Sequence, residues 1–253
     1  LALAAVRGAR RVQGGGGGDR ITATASLGDL AFIGGNAGLD TIYFSGVAGT
    51  GNTIGGGAGA DVITVADGQI ASGVVLFGGG GADTIQVSAA LGVANAVQVN
   101  GGAGADVIGL GTTTAGAVIS YTAFANSTLD SLDVVSAITD STASFIITQD
   151  VVSANFAAAA TYAGSTDAVI MGASATGTFS GGNTNVTASV TNLDAALAEG
   201  NVVAFSDGGA TDYIWIQGGA AGGGNADDLL VELSTAVSAV NLAGGTALTL
   251  DLT

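Results

Sequence analysis

Five copies of one glycine-aspartate motif, at nearly constant spacing, constrain this chain more than any other feature. Gly56 to Thr64 (GGAGADVIT), Gly78 to Gln86 (GGGGADTIQ) and Gly101 to Gly109 (GGAGADVIG) fit G-G-x-G-x-D-x-U-x, where U is a large apolar residue. Gly14 to Thr22 (GGGGGDRIT) also fits, and Gly35 to Tyr43 (GNAGLDTIY) fits with Asn36 at the second position. The aspartates fall at 19, 40, 61, 83 and 106, in steps of 21, 21, 22 and 23. Self-similarity at such a period marks a stacked repeat, in which no single unit can bury its apolar face alone.

Every period follows one plan. A short alternating segment comes after the Asp (Ile42-Tyr43-Phe44, Ile63-Thr64-Val65, Ile85-Gln86-Val87), then a loop of variable length. A second apolar segment leads into the next glycine cluster (Leu30 to Ile33, Val74 to Phe77, Ala96 to Val99). Two strands and two turns make one coil of a parallel β-solenoid. Its repeating Ile21, Ile42, Ile63, Ile85 and Ile108 stack into one internal ladder, because alternate strand residues face the same side.

The charge balance gives the aspartates a chemical meaning. The chain carries 20 acidic residues against 4 basic ones and has no His. The bases are Arg7, Arg10, Arg11 and Arg20, so no fixed cation follows Arg20. A body with net charge −16 repels phosphate backbones and anionic lipid, which argues against nucleic-acid and membrane-surface partners. No apolar run approaches the ~18 residues of a membrane span. Either the carboxylates are fully solvated or metal ions neutralise them.

Stacked one coil above the next, the motif aspartates come within roughly 4.8 Å of each other, the spacing between strands. Carboxylates that close repel unless a cation lies between them. The leading glycines allow positive φ and a tight turn whose carbonyls face outward. Carbonyl and carboxylate oxygens, without nitrogen or sulfur, suit Ca²⁺, whereas zinc wants His or Cys. Candidate metal ligands are Asp19, Asp40, Asp61, Asp83 and Asp106, with Gly57, Gly59, Gly79, Gly81, Gly102 and Gly104 in the turns. The plainer alternative is that each Asp only caps its own glycine turn through local backbone bonds.

These residues resemble the RTX (repeat-in-toxin) calcium-binding nonapeptide family, over about Gly14 to Gly109. Glycine-aspartate motifs line one edge here and the other edge is irregular, a form similar to RTX-type segments of bacterial S-layer proteins. Tyr121 to Gln149 is similar to the segment that ends RTX rolls, and there the resemblance makes Asp133 and Asp140 candidates for a looser calcium site. Gly200 to Leu233 resembles a C-terminal β-module of secreted RTX and S-layer proteins, with Asp207, Asp212, Asp227 and Asp228 as candidate oxygens. The expected fold class is all-β: a right-handed parallel β-roll or β-solenoid with calcium-binding Gly-Asp turns, followed by a C-terminal β-module. The expected divisions are an N-terminal arm or cap over 1–13, the roll over 14–150 and the module over 151–253.

Other motifs carry less. No Gly-Lys-Ser/Thr follows any glycine cluster, so none reads as a phosphate loop. Asp227-Asp228 lacks a His, Lys or Cys to assist it as a catalytic pair. Tyr213 and Trp215 alternate with Ile214 and Ile216 and read as a half-buried strand rather than a sugar-stacking platform. Asn126-Ser127-Thr128 and Asn185-Val186-Thr187 match the glycosylation pattern by accident of composition. The arginine-bearing start is either a cap on the first coil or an arm for a neighbouring copy. With neither Met nor a basic region ahead of Leu1, the chain is expected to begin inside a longer precursor.

The function these features imply is a calcium-dependent structural protomer of a bacterial extracellular assembly (S-layer, sheath or filament), not an enzyme. The alternative is the C-terminal RTX secretion and folding module of a type I-secreted enzyme or adhesin. The expected partner is the chain itself, in a homopolymer or lattice, and cell-surface polysaccharide is a further candidate. The resemblance implies an extracellular location on a bacterial cell surface, after type I secretion.

Overall fold

Alternation builds the coils. After each motif Asp, a branched apolar residue turns inward and its neighbours face out, as in Thr41–Phe44, where the order is exposed, buried, half-buried, buried. The structure is a computed structural model. It describes residues 11–24, 26–46, 48–66, 70–88, 97–110, 117–136, 144–147, 161–163, 169–171, 186–196, 202–206, 211–218, 227–234, 239–243 and 248–252.

The strands come in pairs, one on each side of the Asp turn. They are β1 (Arg11–Gly16) and β2 (Arg20–Ala23), β3 (Phe32–Ala37) and β4 (Thr41–Phe44), β5 (Thr53–Ala58) and β6 (Val62–Val65). Next come β7 (Val74–Gly80) and β8 (Thr84–Val87), then β9 (Val97–Ala103) and β10 (Val107–Leu110). A pair without a glycine cluster follows, β11 (Ala117–Tyr121) and β12 (Asp133–Ser136). The remaining elements are β13 (Ser144–Ile147), β14 (Thr161–Ala163), β15 (Val169–Met171), α1 (Val186–Ala196), β16 (Val202–Ser206), β17 (Asp212–Ile216), β18 (Leu229–Leu233), β19 (Ala239–Ala243) and β20 (Leu248–Leu252).

Odd-numbered strands β1 to β13 form one parallel wall and even-numbered strands β2 to β12 the other. The fold is a parallel β-solenoid. Ile21, Ile42, Ile63, Ile85 and Ile108 are paired in register and fully buried, continuing into Val135. Val12, Ile33, Ile54, Leu76, Val99 and Ile119 make the facing ladder. Each fully buried Ile or Leu contributes about 1.5–3 kcal/mol, so these ladders hold the two walls together with few aromatic side chains. Among the described residues no helix is long and apolar enough to cross a membrane.

Three local expectations change. Leu30 belongs to a turn, with φ 56 and 73% exposure, rather than to the strand that follows it. Arg11, Val12 and Gln13, expected in the arm, are the first half of β1 and pair with β3. The glycine clusters are only partly turns: Gly34 to Ala37 lie within β3 and Gly55 to Ala58 within β5, so three residues, such as Gly59 to Asp61, complete each turn.

Positive φ falls on the second and fourth motif positions, as at Gly57 (119), Gly59 (126), Gly79 (120) and Gly81 (125), and not on the first. At Gly79 a side chain has no room as well, since a Cβ would run into the Gly57 carbonyl of the preceding coil. Gly80, next to it, has open space where a Cβ would sit. Gly79→Ala is therefore expected to destabilise by roughly 2–4 kcal/mol, from strain and backbone displacement together. Gly80→Ala should stay within about 0.5 kcal/mol of the parent. Thermal melts of the two variants at one calcium concentration check this, and equal losses would contradict the tight coil-to-coil approach.

The C-terminal strands extend the same walls. β18 adds parallel to β12, with β17, β16 and β15 antiparallel beyond it, while β20, β19 and β14 extend from β13. All five residues of β17 are buried, so this strand is covered on both faces. The half-buried expectation fails because Val190 and Leu193 of α1 pack with Val203, Phe205, Tyr213, Trp215 and Leu230 in a second apolar cluster. Trp215 is fully buried and offers no stacking platform.

Candidate cation ladder

Each motif Asp closes a glycine turn just ahead of an even-numbered strand, so parallel stacking places one Asp above another. The Oδ1 atoms of Asp40, Asp61 and Asp83 accept the backbone N–H of Asp19, Asp40 and Asp61, each at 2.7 Å. Asp106 Oδ1 accepts from the N–H of Asp83 at 2.8 Å, and Asp133 Oδ1 from the N–H of Asp106 at 2.9 Å. These bonds run between coils rather than within one turn, so local turn-capping is not what fixes the aspartates.

Asp40, Asp61, Asp83, Asp106 and Asp133 are all at most 1% exposed, which rules out full solvation. The Oδ2 atoms of Asp40, Asp61, Asp83 and Asp106 are buried with no hydrogen-bond partner. At the first glycine of the first four motifs, the space a Cβ would need is filled by the Asp of the same coil and a carbonyl of the next, and at Gly101 it is filled by Asp106. At Gly35 these are Asp40 Oδ2 and the Gly56 oxygen; at Gly56, Asp61 Oδ2 and the Gly78 oxygen; at Gly78, Asp83 Oδ2 and the Gly101 oxygen. An orphaned carboxylate oxygen and a carbonyl oxygen thus converge at each step. That donor set is all oxygen, and its character fits a hard cation such as calcium.

The sequence-derived glycines sit differently. The carbonyls of Gly57, Gly59, Gly79 and Gly81 abut the glycines of the following coil (Gly79, Gly81, Gly102 and Gly104) instead of opening outward. Gly102 O accepts from Asn126 Nδ2. The carbonyls that meet the carboxylates belong to the first glycine of each motif.

Asp133 joins the ladder without a glycine cluster of its own. Its N–H donates to Ser127 Oγ at 2.9 Å, and that hydroxyl donates to the Leu230 carbonyl of β18. Ser127, fully buried, therefore stands where a further Asp would be. Asn126 and Ser127 of the Asn-Ser-Thr triplet thus cap the stack with their side chains. Tyr121, also fully buried, directs its hydroxyl at Asp133. Asp140 and Asp207 lie outside the described residues. On the opposite edge, Asn52 Oδ1 accepts from Ala31 N–H and Asp29 Oδ1 from Thr50 N–H, cross-coil bonds with no repeated motif.

Burial dominates the electrostatics. It raises the pKa of Asp83 to about 7, with the charges of Asp106 and Asp61 adding to it, against the hydrogen bond from Asp61. It raises Asp133 to about 8, again with Asp106 adding, while Tyr121 and the Asp106 N–H oppose the shift. Burial raises Asp61 and Asp106 as well. Without a cation, the folded protein therefore binds more protons than the unfolded chain above an ordinary Asp pKa of about 3.9. The contribution of Asp83 and Asp133 is fully present below pH ~4 and is lost as pH rises through about 7 and 8. Calcium-depleted protein is thus expected to melt at progressively higher temperature as pH falls from about 8 towards 5. A melting temperature that falls over that range would show the carboxylates to be compensated some other way.

Compared with family models, curated proteins and solved structures, the chain matches none. Its functional reading therefore rests on the ladder itself.

Proposed function

We propose that this chain is a calcium-dependent structural protomer of a bacterial extracellular assembly, built on RTX-like turns. The carrying observation is the row of buried, unpartnered Oδ2 atoms at Asp40, Asp61, Asp83 and Asp106, in a chain with no basic residue after Arg20. Calcium between successive coils would be held by these carboxylates and by the carbonyls of Gly56, Gly78 and Gly101. Its role is charge compensation, allowing stacked carboxylates to remain ionised inside the turn edge. Outside the cell, calcium at millimolar levels would fill such sites even at affinities of about 10⁻⁴–10⁻³ M, typical of extracellular modules.

Self-assembly is supported by two features. β1 and β2 are the terminal strands of the two walls, and a strand edge presents unpaired backbone groups to another chain. The basic residues are confined to the first 20 positions, opposite in sign to the acidic body, and Arg pairs bidentately with carboxylates. Negative-stain microscopy and sedimentation of the purified chain, with calcium and with chelator, test the proposal. Sheets or filaments that form only with calcium are expected, and Arg7→Ser with Arg10→Ser should weaken them without lowering the melting temperature. A calcium-folded chain that stays monomeric at high concentration would favour the secretion and folding module instead.

A further inference from the structure

A second set of buried oxygens lies away from the ladder, between α1 and the antiparallel extension of the even-numbered wall. Asp194 lies in the last turn of α1, Gln217 just after β17, and Asp228 just ahead of β18. They are 5%, 0% and 1% exposed. Gln217 Nε2 donates to Asp194 Oδ1 at 2.7 Å. The next N–H along the chain, of Gly218, donates to Asp228 Oδ1 at 3.0 Å, and Trp215 Nε1 donates to Asp228 Oδ2 at 3.2 Å. Gln217 Oε1, on the same planar amide that holds Asp194, is buried with no partner.

Neutral N–H donors aimed at both carboxylates favour their charged forms. Two carboxyl groups share a buried layer between helix and sheet, and no Lys, Arg or His occurs in the chain after Arg20 to pair with them. Gln217 Oε1, orphaned on the amide that donates to Asp194, is a further oxygen of the kind that coordinates hard cations. A proton does not meet this need as well, because a protonated Asp228 would forfeit one of its two N–H bonds. Asp227, the neighbouring residue, is exposed and adds negative potential beside Asp228.

We infer that Asp194, Gln217 Oε1 and Asp228 form a second cation site, for a hard divalent ion of the calcium class, that fastens α1 to the sheet. The site shares no residue with the Asp ladder, so it stands or falls independently of the ladder reading. Its consequence is structural. Trp215 and Leu230, from the two strands flanking the site, pack against Val190 and Leu193 of α1, so an ion there locks the helix that covers β17. The helix has no acidic residue in its first turn and no basic residue in its last, and gains little hold from charge placement of its own.

Trp215 makes the site directly readable, because it is the chain's single Trp and its indole N–H touches Asp228. Terbium(III), a hard ion that replaces calcium and emits when a neighbouring Trp passes it energy, is the probe. With the full chain excited at the red edge of Trp absorption, bright terbium emission is expected, displaced by calcium. Asp228→Asn and Asp194→Asn should each reduce it at least tenfold, while Asp29→Asn, at an exposed position on the opposite edge of the solenoid, leaves it unchanged. The wavelength of Trp215 emission shows whether each variant keeps its core. Gln217→Glu supplies a test of sign: with an ion bound it should raise terbium affinity several-fold, and without one it adds a third buried anion and lowers the melting temperature with or without calcium. Absent emission in the parent chain, emission undiminished in both Asn variants, or a Gln217→Glu variant that loses stability without gaining affinity would overturn the site.

Discussion

In excess chelator at pH 8 the solenoid is expected to lose much of its β signal in circular dichroism, and millimolar calcium should restore it better than magnesium. At that pH Asp83 would be ionised and Asp133 about half so, both inside the fold, without a cation beside them. Glycines at the turns give the unfolded chain exceptional freedom, so little but the stacked side chains opposes opening. A site of 10⁻⁴ M affinity at 1 mM calcium stabilises by about 1.4 kcal/mol through mass action. Four intervals between the five motif aspartates would supply roughly 6 kcal/mol, comparable to the whole stability of an ordinary domain at about 5–15 kcal/mol. Magnesium should do less because it demands octahedral geometry and keeps its water, while a ladder of carbonyl and carboxylate oxygens is irregular. A spectrum and melting temperature unchanged by the chelator would remove calcium from the account.

The repeat was the legible part of the sequence, and for a physical reason. In a parallel stack, a residue's neighbours are its counterparts one period away, so spacing in the chain translates directly into register in space. Ile42 against Ile63 and Asp61 against Asp83 follow from that rule alone. The glycines were harder to read, because the motif alone does not say which one needs unusual dihedrals and which one needs space. The first glycine of each motif turned out to make room for the Asp side chain, while the second and fourth carry positive φ. The end of the ladder was not legible: Ser127 acts through a contact with Leu230, 103 residues away and tied to no period. α1 was missed because two Val and two Thr among its first six residues favour strand over helix. The spacing of Val186, Val190 and Leu193, one apolar stripe at helical period, was the signal available.

Asp83→Asn should separate an ion-held ladder from a proton-held one, because its effect is expected to change sign with calcium. Asn keeps the shape of Asp, and its amide oxygen accepts the Asp61 N–H that Asp83 Oδ1 accepts at 2.7 Å. Its NH₂ then takes the place of Oδ2, facing the Gly101 carbonyl, where it can donate as a protonated carboxyl would. In chelator at pH 8 the substitution removes a buried charge, so the melting temperature should rise and its dependence on pH should flatten. In millimolar calcium it removes a charged ligand from the intervals on both sides, towards Asp61 and Asp106. The variant should bind fewer calcium ions and lose up to about 3 kcal/mol, two intervals at roughly 1.4 kcal/mol each. Asp19→Asn, at the end of the row with only Asp40 beside it, should lose about half as much. Calcium titration calorimetry with melts in both buffers checks all of these. Stabilisation by Asp83→Asn in calcium as well as in chelator would show that protons, not ions, hold the ladder. Equal losses at Asp19 and Asp83 would instead mean that calcium acts elsewhere than between adjacent coils.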